Sequence, residues 1–278
     1  MKTIYLIISL PIILILSSCE SMITDVEIPE NKTEQKLVII SYISPEDSII
    51  NVKLYKSVPY YNNAGIVDND FLIEDGTIIL SDGTITKQFA YDNTTKQYVC
   101  TDNTFKVEPG VEYTLTASTP DGKTNRAKCT IVPNRVENFS FEITDSIING
   151  EFSNDQIEYI FDVSIPDIPN QENYYRFLVY NSEDTMNTYA SINEYITDER
   201  LDGQDIKFKT NIFVSDTTKK LDVYLLTCDK AYYEYFQSIM NSYGDTPFTE
   251  PSLIYSNTES GMGVFCSYRW IKKEFQIK

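Results

Sequence analysis

Five cysteines and no histidine define the chemistry open to this chain of 278 residues. Cys19 stands directly after Leu16, Ser17 and Ser18. Small residues before a cysteine are what a bacterial lipobox needs, because only a thiolate is nucleophilic enough to be alkylated there by a diacylglycerol. The alternative is a lone thiol in an apolar leader that is cut elsewhere. Lys2 followed by the apolar run Ile4 to Leu16 has the layout of a secretory signal peptide. As a helix about 13 residues span about 20 Å, short of the roughly 30 Å hydrocarbon core, so the run is expected to be a cleaved leader. Leader length, small residues and cysteine coincide, which predicts lipidation at Cys19. Diacyl and amide-linked chains together pass the two-signal threshold for stable anchoring.

The remaining chemistry is narrow. Without histidine the chain cannot build Ser-His-Asp or Cys-His nucleophile activation, His-ligated zinc or iron, or an imidazole acid-base pair. Cys100, Cys129, Cys228 and Cys266 allow three pairings. Cys100 with Cys129 and Cys228 with Cys266 would keep each disulfide local; four buried apolar thiols are the other reading. Their spacing is unlike that of zinc knuckles. Asp68, Asn69, Asp70, Glu74 and Asp75 offer oxygen ligands but lack the glycine and closing glutamate of a calcium loop, so a solvated acidic loop is expected. Gly261-Met262-Gly263 is not a phosphate loop, since it leads into a strand; it reads as a turn or bulge needing positive φ. Asp-Ser/Thr-apolar steps beginning at Asp47, Asp145, Asp184 and Asp216 resemble O-glycosylation acceptors. A carboxylate pair could run a glycosidase without histidine, but no pair stands out from the surface acids. No catalytic residue, metal site or cofactor is therefore expected.

The elements that must position these residues are strands. Ile50, Val52 and Leu54 alternate with polar neighbours, as do Val111, Tyr113, Leu115 and Ala117. "KLVIISYI" is apolar on both faces and fits a central strand. Asp82-Gly83 is expected to close a two-residue hairpin, and Pro109-Gly110 and Pro120-Asp121-Gly122 two further turns. Further on, Tyr159, Phe161, Val163 and Ile165 share one face, as do Tyr175, Phe177 and Val179. Residues 181–205 read as a long polar loop, and "IKFKTNIFV" and "LDVYLLTC" as strands. One helix is expected over 229–243, with Asp229 as N-cap, Gly244 as stop and a stripe of Tyr232, Phe236, Ile239 and Tyr243 packed on the sheet. The abundant tyrosines are expected to fill cores and edges.

The fold class is thus all-β and mostly antiparallel. It comprises a signal peptide at 1–18, a tether at 19–35, an immunoglobulin-like β-sandwich at 36–134, and a second β-rich domain with one helix at 135–278. The net charge of -18 repels nucleic-acid phosphates, so no nucleic-acid partner is expected.

Together the lipobox, the opening "LVIISYISPEDSIINVKLYKSVP", the close "YTLTASTPDGKTNRAKCTIVP" and the C-terminal "EPSLIYSNTESGMGVFCSY" resemble the Bacteroidota lipoproteins called domain of unknown function 4249. The most specific piece is the last, with Pro251, Ser256, Asn257, Gly261, Gly263, Val264 and Phe265; Cys266 stands where the family pattern has a glycine. The resemblance implies a lipid-anchored outer-membrane protein with no established activity, often encoded beside a TonB-dependent transporter. A non-catalytic accessory or binding protein follows as the first expectation and a structural or adhesive surface protein as the second, ahead of a carboxylate enzyme; the ligand is unknown.

Overall fold

A computed structural model describes residues 34–58, 71–100, 102, 105–148, 156–181, 191–215, 218–243 and 252–277. Cys19, the tether up to residue 33, Asp68 to Asp70, Asp184, Asp216 and Gly244 lie outside the described residues. From Gln35 onward the chain forms one compact unit, and no helix among the described residues is long and apolar enough to cross a membrane.

Period-two alternation forms strands as expected, and the chain is all-β with one described helix. The strands are β1 (Leu37–Ile43), β2 (Ile50–Lys56), β3 (Thr77–Ser81), β4 (Thr86–Gln88), β5 (Ala90–Asp92), β6 (Gln97–Cys100), β7 (Glu112–Ser118) and β8 (Thr124–Thr130). They continue with β9 (Ser140–Ile148), β10 (Gln156–Ile165), β11 (Tyr174–Asn181), β12 (Ile192–Thr197), β13 (Ile206–Ser215), β14 (Lys220–Cys228) and β15 (Met262–Gln276). The helix, α1, is Lys230–Ser242.

An eight-stranded sheet runs β12-β11-β14-β15-β1-β2-β6-β5, beside a three-stranded sheet β13-β10-β9 and a four-stranded sheet β4-β3-β7-β8. β15 spans 15 residues and does two things. Its start pairs in parallel with β1, Val38 opposite Met262 through Ile43 opposite Ser267. Its remainder pairs antiparallel with β14, from Tyr268 opposite Cys228 to Gln276 opposite Lys220. One sheet therefore runs across residue 134, where the sequence suggested a division. A hydrophobic cluster of Leu178, Leu226, Tyr232, Tyr235, Val264 and Cys266, with Tyr42 from the first half packed against it, lies under α1; two others stay more local. One gathers Ile39, Leu54, Ile78, Leu80, Tyr113, Leu115 and Phe265, and the other Phe141, Phe161, Val163, Tyr175, Phe177, Val179 and Leu225.

The entry into β15 explains the glycines. Gly263 has φ +104°, and a Cβ there would lie 1.9 Å from the Ile39 carbonyl oxygen; at Gly261 it would lie 2.1 Å from that of Leu37. Only glycine lets β1 approach this closely. On the other side of β15, Asn257 acts as a strand mimic: its amide donates to the Phe265 oxygen at 2.7 Å and accepts from the Phe265 N–H at 3.0 Å.

Three details differ from the expectation. The turn after β3 has four residues, 82–85, because the Asp82 carboxylate takes the N–H groups of Thr84 and Ile85 at 2.8 and 2.6 Å. Residues 192–197 of the supposed loop form β12, an edge strand whose polar residues face water, so it carries no apolar alternation. Tyr243, assigned to the packed stripe, is 79% exposed, whereas Tyr235 is buried in its place.

Candidate functional site

β11 and β14 each bury one row of side chains in the second core, and the opposite row faces α1. On β11 that row is Tyr174, Arg176, Leu178 and Tyr180. Register places Arg176 beside Leu226 and Leu226 beside Trp270; Leu178 beside Tyr224 and Tyr224 beside Lys272; Tyr180 beside Asp222 and Asp222 beside Glu274.

α1 stands on this face. Asp229 caps it, accepting from the Tyr232 N–H at 2.7 Å, and also holds β15 by accepting from the N–H and hydroxyl of Ser267 at 2.7 and 3.0 Å. Burial pushes its carboxyl up to about 6 against the pull of those hydrogen bonds. The helix packs Tyr232, Tyr235 and Phe236 around Tyr42 of β1, with ring centroids 5.8, 6.4 and 5.5 Å away.

Between α1, the sheet face and the loop after β1 lies a cleft of about 520 Å³, within the size range of small-molecule sites. Seven aromatic rings line it: Tyr42, Tyr180, Tyr224, Tyr232, Phe236, Tyr268 and Trp270, with Leu178, Leu226, Asp47, Arg176 and Asp222. Asp47 fixes one wall, since its two oxygens accept from Trp270 Nε1 at 2.9 Å and from the Tyr268 hydroxyl. Burial and the neighbouring Asp47 raise the Tyr268 phenol far above its ordinary value, so it stays a donor.

Arg176 is the unusual member. Its guanidinium lies 4.7 Å from the Phe236 ring centroid, 5.0 Å from that of Tyr195 and 5.8 Å from that of Tyr232. Nε donates to Asn193 Oδ1 at 2.8 Å and Nη1 to the Tyr232 hydroxyl. Among the described residues it has no carboxylate partner, whereas Arg135 and Arg269 share Glu46, each at 2.8 Å. Asp222 is the counterpart. Its Oδ2 lies 3.0 Å from Lys272 Nζ, while its Oδ1 is buried without a hydrogen bond, 4.0 Å from Lys220 Nζ.

The four cysteines lie apart from this chemistry. Cys100, Cys129, Cys228 and Cys266 are buried free thiols on β6, β8, β14 and β15. Burial pushes the thiols of Cys129, Cys228 and Cys266 well up, which makes them poor nucleophiles. Among the described residues a metal could be considered only at Asp167, Asp198 and Asp202, whose oxygens lie within 4.8 Å of one another. These carboxylates already take the amides of Asn170, Asn173 and Gly203 and the Tyr175 hydroxyl, which ties the loops together. Glu74, from the acidic stretch, is exposed beside Lys96.

No cleft residue stands out in the sequence as a ligand contact: Tyr232 and Phe236 read as helix packing, and Asp47 as the start of a glycosylation step. The available signal was a strand apolar on both faces, "YYRFLVY", with a cation set in the row opposite its core face.

Fold and cleft together define an all-β protein with one described helix standing over a ligand-sized aromatic cleft. The chain belongs to the family described as Domain of unknown function (DUF4249), whose model matches residues 23–274. No curated protein matches it.

Proposed function

We propose that this is a non-catalytic, lipid-anchored binding protein of the outer membrane, working beside a TonB-dependent transporter, with the cleft around Arg176 as its ligand seat. The observation that carries binding is the cleft itself, lined by seven rings and by a cation, Arg176, that has no carboxylate partner among the described residues. Rigid aromatic area with a few convergent polar groups is how ligand sites are built. The lipobox ending at Cys19 supports the anchor, and the family pattern supports the transporter. A catalytic role finds little support here, because Asp47 spends both oxygens on Trp270 and Tyr268, and the Cys129, Cys228 and Cys266 thiols are held protonated.

The test is purification of the lipidated protein from outer membranes in mild detergent, with a Cys19→Ala strain as control, followed by mass spectrometry. A near-stoichiometric transporter barrel that disappears in the control is the expected result. Its absence, under conditions that preserve other barrel complexes, would move the reading to a structural or adhesive surface protein.

A further inference from the structure

The two ends of the cleft carry opposite polar groups that are only partly used, Arg176 at one and, at the other, Asp222, which is paired with Lys272 through Oδ2. Arg176 has five N–H donors, of which one on Nε and one on Nη1 are engaged. Asp222 has a buried acceptor oxygen without a hydrogen bond. Leaving such a group unsatisfied costs about 1–3 kcal/mol, so its retention in a ligand-sized cleft needs an explanation. The strand register sets their separation. Arg176 lies opposite Leu226, and Asp222 is four residues further along β14. At about 3.3 Å per residue and about 4.8 Å between strands, the two Cα positions are about 14 Å apart. Between them the floor is apolar and aromatic: Leu178, Tyr224 and Leu226, with Trp270 alongside.

We infer, resting on the reading of this cleft as a ligand seat, that its ligand is a short linear peptide with free termini, three to four residues long and apolar or aromatic in its middle. A guanidinium fork matches a carboxylate, so the C-terminal carboxylate sits at Arg176. The terminal ammonium donates to Asp222 Oδ1, and the side chains lie on the rings. Four extended residues reach about 13–14 Å, comparable to the Cα separation of Arg176 and Asp222. A neutral sugar would leave the Arg176 guanidinium without a countercharge and Asp222 Oδ1 without a charged donor at hydrogen-bond distance, and a polyanion would meet the field of a chain carrying net charge -18.

Trp270 is the only tryptophan of the chain and lines the cleft, so its emission reports occupancy. The experiment titrates the full lipidated protein in mild detergent with a tetrapeptide of three alanines and one central phenylalanine. The same peptide C-amidated, the same peptide N-acetylated, and maltotetraose are titrated alongside. The free peptide is expected to shift the emission saturably, and each cap to raise Kd at least about tenfold, the loss of one charge-assisted contact. Arg176→Gln should erase the difference between free and amidated peptide, and Asp222→Asn that between free and acetylated peptide. Equal affinity for capped and free peptides, or binding of maltotetraose alone, would overturn the peptide assignment and leave the cleft as a ligand seat. If neither peptides nor sugar elicit a response, the assignment also falls.

Discussion

Asp229 joins two elements through one carboxylate, since the Tyr232 N–H of α1 and the N–H and hydroxyl of Ser267 on β15 all donate to it. Its carboxyl is raised to about 6 by burial, above the ordinary carboxylate value near 4. A raised acid favours the folded state in its protonated form, so its contribution is full below about pH 4 and is lost as the pH rises through about 6. A rise from about 4 to about 6 is worth about 3 kcal/mol. Urea unfolding of wild type and Asp229→Asn, compared between pH 4 and 7, should show the wild type losing about that much relative to the variant as the pH rises; parallel profiles would refute the buried ionisation. Glu46 is the second such residue. It is the shared partner of Arg135 and Arg269, and Arg135 also donates to the Trp270 oxygen at 2.8 Å. Glu46→Gln removes the charge between two half-buried guanidinium groups and should cost about 3 kcal/mol in chemical denaturation. It should also disturb Trp270 emission, because the same loop carries Asp47.

Among the elements, β15 depends on one backbone position more than on any side chain. Gly263→Ala must place a Cβ on the Ile39 carbonyl at φ +104°, so β1 and β15 have to separate. Gly122 has a similar φ of +87° but open space around it. The expected costs therefore differ: about 1–2 kcal/mol of left-handed strain for Gly122→Ala, and upward of about 4 kcal/mol for Gly263→Ala, read as midpoint shifts in the same denaturant. Equal costs would mean that conformation alone, not close approach, demands the glycine. The sequence made the demand for glycine at 261–263 visible, but not its cause. Strands with alternating burial, such as β2, β7 and β10, were legible because one face meets a core and the other water. β12 was not, since an exposed edge strand has no apolar face to betray it. The helix was legible from its cap and stripe, yet Tyr243 was misplaced because it stands past the last helical residue, Ser242, as the C-cap and is exposed there. The cleft was hidden for a different reason. Its residues come from β1, β11, β14, α1 and β15, and only pairings far apart in sequence bring them to one face.

At the scale of the whole molecule, the C-terminal strand makes two local cores share one sheet. Phe265 belongs to the first core, while Phe275, ten residues on in the same strand, packs on the second. Neither half can keep its share of β15 while the other unfolds it, since the strand loses β1 on one side or β14 on the other. Unfolding of residues 35–278 should therefore be cooperative despite separate hydrophobic clusters. Hydrogen exchange across a denaturant series tests this directly. The slowest amides of β7, in the first core, and of β10, in the second, should converge on one opening free energy with one denaturant slope. Two separate isotherms would show that the sheet parts between β1 and β15 and that the halves are independent folding units. The same coupling bears on the cleft, whose floor is β11, β14 and β15 and whose wall includes Tyr42 and Asp47 from the β1 side. If the halves open together, a ligand seated there stabilises both: at one hundred times Kd, the converged opening energy should rise by about 2.7 kcal/mol for β7 and β10 alike.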